Sequence, residues 1–513
     1  MKKITYLLLT LIVFICSVLF LGITAKGGIS GNTVLYQAEN STALGGPFEA
    51  SNSTARYALT ESIVKDHSLT LSRDLAKFSA PDVVQYKGKF VSIFTPGVSF
   101  IGVPFYMLGL KAGYPQIFTY ISVALFSVIN IFLVAKLSQK LGASYTSGLL
   151  AGFIFIFATN ALTYAQSFTQ HQMSTTFILL ALLNALEERT WSKNIFFGMY
   201  FGIATLVDIP NPLMLLPVLL FVFIKHFKQT TADDKQRFNR MNLTFLWLAV
   251  GVLPFLLGFA YYNKLTTGNF GSLAQNIGRT DAFSDLSPDR AVNGPTELVQ
   301  EPTLKSRFEL PFSSRAQLEG IYTLYISDER SWIYYSPIVL LGIPGLVFLY
   351  KSTKTRKATT LIISIITVNA LIYSMFGDPW GGWSFGPRYL IPVAALMLAA
   401  SSVVVDKFKG KLLFFVVFVC LSIFSVYINV LGVSTTSLIP PKVEAVNLPD
   451  PIPYTWKYNL QILDNNKIAS LSYNLLHTNA ITSQQYVIVL TTLITLVILM
   501  LYSFLLFEKK YKI

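Results

Sequence analysis

Cysteine and histidine are scarce: the chain has two of the first and four of the second in 513 residues. Cys16 and Cys420 both fall inside apolar runs, so they supply neither a disulfide framework nor a cysteine-rich metal cluster. Charge is scarce too. Asp, Glu, Lys and Arg make up 13% of the residues, against about 25% in soluble proteins. The chain has no G-x-x-x-x-G-K-[S/T] loop, no G-x-G-x-x-G after a strand and no H-E-x-x-H. Nucleotide-driven and zinc-protease chemistry are therefore left without a carrier. Few polar groups lie within the apolar runs, which argues against an ion-coupled transporter, since such proteins place charges near the bilayer midplane.

What the chain does have is apolar surface, 53% of its residues. No water-soluble fold of this length could bury that much, so the sequence describes an all-α polytopic membrane protein. Runs near the required ~20 residues lie at about 4–24, 116–135, 145–164, 172–186, 195–209, 212–224, 243–262, 334–350, 358–376, 388–405, 412–432 and 485–507, about twelve transmembrane helices in all. The pair 195–209 and 212–224 is separated only by Pro210, Asn211 and Pro212, which read as a tight hairpin. Residues 92–110 are apolar but broken by Pro96, Gly97, Gly102 and Pro104, and are read as a re-entrant or juxtamembrane segment rather than a span.

The basic residues test that choice. With 92–110 not crossing, the cytoplasmic segments carry 21 Lys/Arg against 6 Asp/Glu, and the remainder 19 against 20. This is the positive-inside pattern, and it accounts for the net charge of +14 without a nucleic acid partner. The expected protein is a multi-pass protein of the cell membrane with both termini cytoplasmic. Its N-terminal run is read as an uncleaved signal anchor. The transmembrane core spans 1–405, with a first outer loop at 25–115 and a second long outer loop at 263–333. Residues 406–513 form C-terminal spans with an outer loop at 433–484. Long loops on one face of a rigid scaffold usually carry the function.

Residues 53–71 predict an amphipathic helix lying on the membrane, with Arg56, Glu61, Lys65 and Asp66 on its polar side. Asp82 then precedes a short hairpin over Gln85–Phe90 with Gly88 at its turn and Lys87 beside it. Tyr164, Gln166, Gln170 and His171 stand in a short loop between spans, and His171 is either a structural ring or a donor to a phosphate or sugar hydroxyl. Asp208, at the end of a span, is either a helix-end cap or a functional acid. Residues 376–392 gather Asp378, Trp380, Trp383, Arg388 and Tyr389 among glycines. Tryptophans offer flat platforms to sugar rings, and an arginine at headgroup level is a fork-shaped phosphate binder. The same residues also suit an aromatic belt with a snorkelling arginine.

The order of these elements resembles the C-type glycosyltransferase superfamily, in particular the dolichyl-phosphate-mannose protein mannosyltransferase-like group (family 39 and relatives). The resemblance runs over about 1–405 and rests on ARYALTESIV, YKGKFVSIFTPGVSFIGVPFY, FTQHQMSTTFILLAL, GIATLVDIPNPLMLL and WGGWSFGPRYLIP. It implies inverting transfer of a hexose or pentose from a polyprenyl-phosphate donor to a protein, lipid or polysaccharide acceptor on the outer face. It implies no cofactor; a divalent metal stays open. A first-loop carboxylate would be the general base. Where better-known members have an Asp-Glu pair, this chain has Ser53-Thr54, and Thr95 stands where many have a Lys before the Pro-Gly break. The base therefore falls to Asp82, with Glu61, Asp66 and Glu49 as weaker choices. Arg388, with Arg56 or Lys87, would hold the phosphate. A non-catalytic lipid-glycan translocator or scaffold on the same fold is the alternative.

Overall fold

A computed structural model of the protein describes residues 2–27, 44–231, 235–278, 317–465, 468–476 and 481–511; most of the second long loop lies outside them. The described chain is helical apart from one hairpin. Among the described residues seven helices are long and apolar enough to cross a membrane: Ile4–Ile23, Pro115–Lys140, Leu246–Thr267, Arg356–Ser374, Arg388–Phe408, Leu412–Ser434 and Ser483–Glu508. Shorter apolar helices fill the gaps at Gly97–Ala112, Tyr145–Phe157, His171–Leu186, Pro210–Lys225 and Pro337–Lys351.

In chain order the elements are α1 (Lys2–Ile23), α2 (Ser51–Lys65), α3 (Arg73–Ser79), β1 (Val83–Tyr86), β2 (Lys89–Ser92), α4 (Gly97–Ala112), α5 (Pro115–Lys140), α6 (Tyr145–Phe157), α7 (Ala161–Ala165), α8 (His171–Leu186), α9 (Trp191–Val207), α10 (Pro210–Thr231) and α11 (Lys235–Thr267). Later helices are named by their ranges. Helices in lipid associate through close packing, which small residues permit. A Cβ on Gly152 of α6 would run into the Ile131 carbonyl of α5, and one on Gly251 of α11 into the Ile195 carbonyl of α9. The centre of the bundle is the helix Ile391–Phe408. Its apolar window is 83% buried, while those of the other six long helices lie between 22% and 44%. It packs on α5, α6, α8 and the helix Gly342–Lys351.

Three local expectations change. First, α2 does not lie with a polar side in water. Every residue from Ser53 to Ser62 is buried, because α3, α4 and β2 cover it. Second, 97–112 is one continuous helix with Pro104 inside it, not a series of half-turn pieces. A proline at the head of a helix sacrifices no hydrogen bond, so Pro96 opens α4 rather than breaking it. Apart from Thr60 within α2, these partners of α4 sit near helix ends: Gly97 meets Leu206–Val207, Gly102 meets Phe168 and Thr60, Phe100 meets Tyr262, and Gly109 meets Pro115. Helix α4 is thus laid along one end of the bundle. Third, the turn between α9 and α10 is made by Asp208 and Ile209, since Pro210 already begins α10.

The hairpin forms as read, with Val83 opposite Ser92 and Tyr86 opposite Lys89. Its turn is Lys87–Gly88, both at positive φ. The C-terminal segments are stitched to the first loop. Ser437 and Gly45 donate backbone N–H bonds to the Glu49 carboxylate at 2.7 and 2.6 Å, and the Thr436 hydroxyl joins them. Lys26 closes the pair with Glu49 at 2.8 Å, both side chains 3% exposed. Burial works against the charge on Glu49, but Lys26, Ser437 and Thr436 outweigh it and hold the carboxyl below its ordinary range.

Candidate functional site

Arg56 sits one turn into α2 and is 1% exposed. Its carbonyl accepts from the Ser99 hydroxyl of α4 at 2.8 Å, and Nη1 donates to the Asn52 carbonyl at 2.8 Å. The guanidinium carbon lies over Phe94, 3.8 Å from the ring centroid. A planar cation suits such a face. Nε is buried without a hydrogen-bond partner. Burial pulls the Arg56 pKa down to about 10 against the opposing charges of Asp208 and Asp82.

The two acids come from different parts of the chain. Asp82 leads into β1, is 6% exposed, and accepts from the Ser51 hydroxyl at the head of α2 at 2.6 Å. Asp208 caps the end of α9, where Gln170 and the Ile209 N–H bond its carboxylate. Thr95 donates to the Val207 carbonyl at 3.0 Å, which fixes the Pro-Gly turn beside Asp208. A Cβ at Gly97 would meet the backbone of Leu206 and Val207, so the next turn presses on the same helix end.

Arg388 closes the cluster from the other half of the chain. It interacts electrostatically with Tyr389, Tyr164 and Asp378, and its charge also reaches Arg56, His171 and Asp208. Arg388 Nε and Asp378 Oδ1 are both buried and unpartnered. Tyr389 stacks on Tyr373 with centroids 4.3 Å apart. The loop before Arg388 folds tightly: Gly381 has φ +77°, and a Cβ there would stand 2.9 Å from Arg388 Nε. Two guanidiniums and two carboxylates thus converge at the end of the bundle where α4 lies. Unpartnered cationic N–H groups among buried walls can hold a phosphate while a carboxylate takes a proton.

Arg330, which no sequence motif singles out, is fully buried beneath this loop. Nε donates to Trp380 O at 3.0 Å, Nη1 to Glu329 O at 2.9 Å, and Nη2 to Ile439 O at 3.0 Å and Pro440 O at 3.3 Å. One side chain therefore ties the Asp378–Arg388 loop to the C-terminal segment. Nothing in a local SDERSW stretch distinguishes such an arginine from a surface one.

Other expected residues stand apart. Glu61 pairs with Lys65 at 2.8 Å, an i,i+4 contact away from the Arg56 side of α2. Asp66 is exposed at the end of α2. Lys87 is exposed at the hairpin turn, 5.2 Å from the Tyr86 ring. Trp383 is exposed and donates to Glu444 at 2.6 Å, and Trp380 contributes its carbonyl to Arg330. His171 is 4% exposed, its ring edge-on to Tyr164 at 4.9 Å and Nε2 unpartnered. Among the described residues no group of three or more His, Cys, Asp and Glu could hold a metal ion.

No protein-family model and no curated protein matches the sequence. Solved structures do. The chain is similar to the oligosaccharyltransferase of Archaeoglobus fulgidus in its apo form, with TM-score 0.51, 14% identity, 89% of this chain covered and 61% of that one. It is also similar to the oligosaccharyltransferase AglB of the same archaeon in complex with an inhibitory peptide and a dolichol-phosphate, with TM-score 0.48, 13% identity and coverages of 89% and 60%. A third similar structure is ArnT of Cupriavidus metallidurans bound to undecaprenyl phosphate, with TM-score 0.48, 11% identity and coverages of 98% and 76%. The chain spans about three fifths of the length of the archaeal enzymes. This polytopic helical membrane protein thus shares its fold with the archaeal oligosaccharyltransferase.

Proposed function

We propose that the protein is a glycosyltransferase that moves a sugar from a polyprenyl-phosphate donor to an acceptor hydroxyl on the outer face of the membrane. The observation that carries this reading is the meeting of Arg56, Arg388, Asp82 and Asp208 at one end of the bundle, with both arginine Nε atoms buried and unpartnered. The guanidiniums hold the donor phosphate, and the loops above exclude water. Asp82 accepts the acceptor's hydroxyl proton as that oxygen bonds to the anomeric carbon. The bond from the anomeric carbon to the phosphate oxygen breaks, and polyprenyl phosphate leaves with its negative charge on Arg388 and Arg56. Asp82 suits the task because Ser51 fixes its carboxylate beside Arg56. Asp208 and Gln170 orient Arg56 and the sugar.

The test is mass spectrometry of envelope glycans and prenyl-linked intermediates in cells that lack the protein. A sugar should vanish from one glycan, and its polyprenyl-phosphate form should persist unused. Asp82→Asn at normal protein level should reproduce that defect. Full restoration by all three of the chains carrying Asp82→Asn, Glu61→Gln and Asp66→Asn would sink the enzymatic reading in favour of a lipid-glycan translocator.

A further inference from the structure

Asn160 stands in the turn between α6 and α7 and is fully buried, yet neither Nδ2 nor Oδ1 has a hydrogen-bond partner. Buried amides seldom tolerate this, because the desolvated group recovers nothing. Its neighbours obey the rule. Gln172 donates to the Ala161 carbonyl at 2.7 Å, Asn130 donates to Gln172 Oε1 at 3.0 Å, and Thr176 donates to Asn130 Oδ1 at 2.7 Å. Buried amides close by are closed into a network, and Asn160 is left out of it.

Its place points to a ligand. Asn160 packs on Gly386, which has φ +61° and where an added Cβ would stand 3.5 Å from the Asn160 Cβ. The Gly386 carbonyl accepts from the Arg388 N–H at 2.9 Å, so Asn160 faces the turn that presents the arginine. One helical turn on, the Tyr164 hydroxyl accepts from the Phe385 N–H at 3.2 Å, and its ring meets His171. His171 Nε2 and Thr163 Oγ1 nearby are also buried and unmade.

We propose that Asn160, with His171 beside it, is the sugar subsite of the donor site and reads a vicinal diol. This rests on the donor reading above. An amide offers one donor and one acceptor side by side. Nδ2–H donates to one hydroxyl oxygen, and Oδ1 accepts the O–H of its neighbour. The His171 ring nitrogen meets a further hydroxyl. The donor class is a polyprenyl-phosphate hexose or pentose with adjacent free hydroxyls. On a pyranose, vicinal ring pairs among positions 2, 3 and 4 all include O3, so a 3-deoxy sugar removes every one of them.

The experiment measures dissociation constants of the full chain in nanodiscs for bare polyprenyl phosphate, for polyprenyl-phosphate mannose and glucose, and for their 3-deoxy analogues. The wild type should bind bare polyprenyl phosphate and prefer at least one natural sugar over its 3-deoxy form by about tenfold, as expected when one neutral hydrogen bond is lost and its buried amide atom is left unmet. Asn160→Leu, similar in size and unable to bond, should erase that preference and keep the affinity for bare polyprenyl phosphate. Asn160→Ser, too short to bridge two hydroxyls, replaces it if the Leu chain does not reach the membrane. A wild type with no preference, or variants that keep it, would overturn the subsite and leave the donor reading standing. No binding of bare polyprenyl phosphate by the wild type would overturn both.

Discussion

The Arg330 guanidinium and the Trp380 carbonyl meet at 3.0 Å beneath the loop that presents Arg388. With its bonds to Glu329, Ile439 and Pro440, this contact makes the loop and the C-terminal segment one rigid piece. Arg330→Met leaves several buried carbonyls unmet, at a cost of at least about 2 kcal/mol. The expected result is a lower Tm and weaker donor binding, measured on purified protein, with Arg330→Lys partly restoring both. Unchanged melting in Arg330→Met would show that the loop is held by something else.

Arg388→Ala should weaken use of a prenyl-phosphate sugar far more than it lowers protein yield. A lost charge-assisted contact to phosphate is worth roughly 1.5–3 kcal/mol, or about 10–150-fold. Arg388→Lys should recover part of it, because an ammonium lacks the planar fork. Normal turnover in Arg388→Ala membranes would leave the residue a snorkelling anchor.

Asp82→Asn keeps the shape of the side chain and its place beside Ser51 while removing its basicity. Transfer should fall by about 10²–10⁴ with donor binding nearly intact. Glu61→Gln, which breaks the pair with the exposed Lys65, should stay near the wild-type rate. A dead Glu61→Gln chain beside an active Asp82→Asn chain would move the base to α2.

The Lys26–Glu49 pair gives a pH signature. The folded carboxyl of Glu49 lies below its unfolded value, so the pair's contribution is full above the unfolded pKa of about 4.3. It is lost as pH falls through the lower folded value. Glu49→Gln should cost about 3–5 kcal/mol near neutral pH and flatten the acid limb of a Tm-versus-pH curve. An acid limb identical to the wild type would show that the pair does not carry it.

Sidedness is open to cysteine labelling. Lys140, Lys193 and Lys354 should react from the cytoplasm when replaced by cysteine, and Lys87 and Lys457 from outside. Labelling of positions 87 and 140 from the same side would mean that α4 crosses the membrane.

Much of this architecture was legible because lipid imposes its pattern locally. Apolar runs fix helices, and Lys87–Gly88 fixes a two-residue hairpin turn. Arg56, Asp208 and Arg388 could each be singled out, since charge near an apolar run is costly and demands a reason. Their convergence could not be read, because it joins helix ends hundreds of residues apart. The α2 helix misled for a related reason. Its alternation of polar and apolar positions reads as a surface pattern, but a buried ligand site also needs polar residues on a covered helix. Arg330 and Asn160 gave no signal at all, since their roles rest on carbonyls and turns that no side-chain pattern records.

The bonds from Ser437 to Glu49 span 388 positions of the chain. Their consequence lies in the order of synthesis. The first loop emerges early, but its carboxylate and Lys26 must wait for nearly the whole chain to be made and threaded before Thr436 and Ser437 arrive. A nascent chain halted short of that point can sit in the bilayer with most of its helices and still lack the clasp that fastens the first loop down. Fastening of the first loop is therefore a late event in biogenesis. A series of translation-arrested chains should show residues 44–49 protected from protease only once synthesis has passed Ser437.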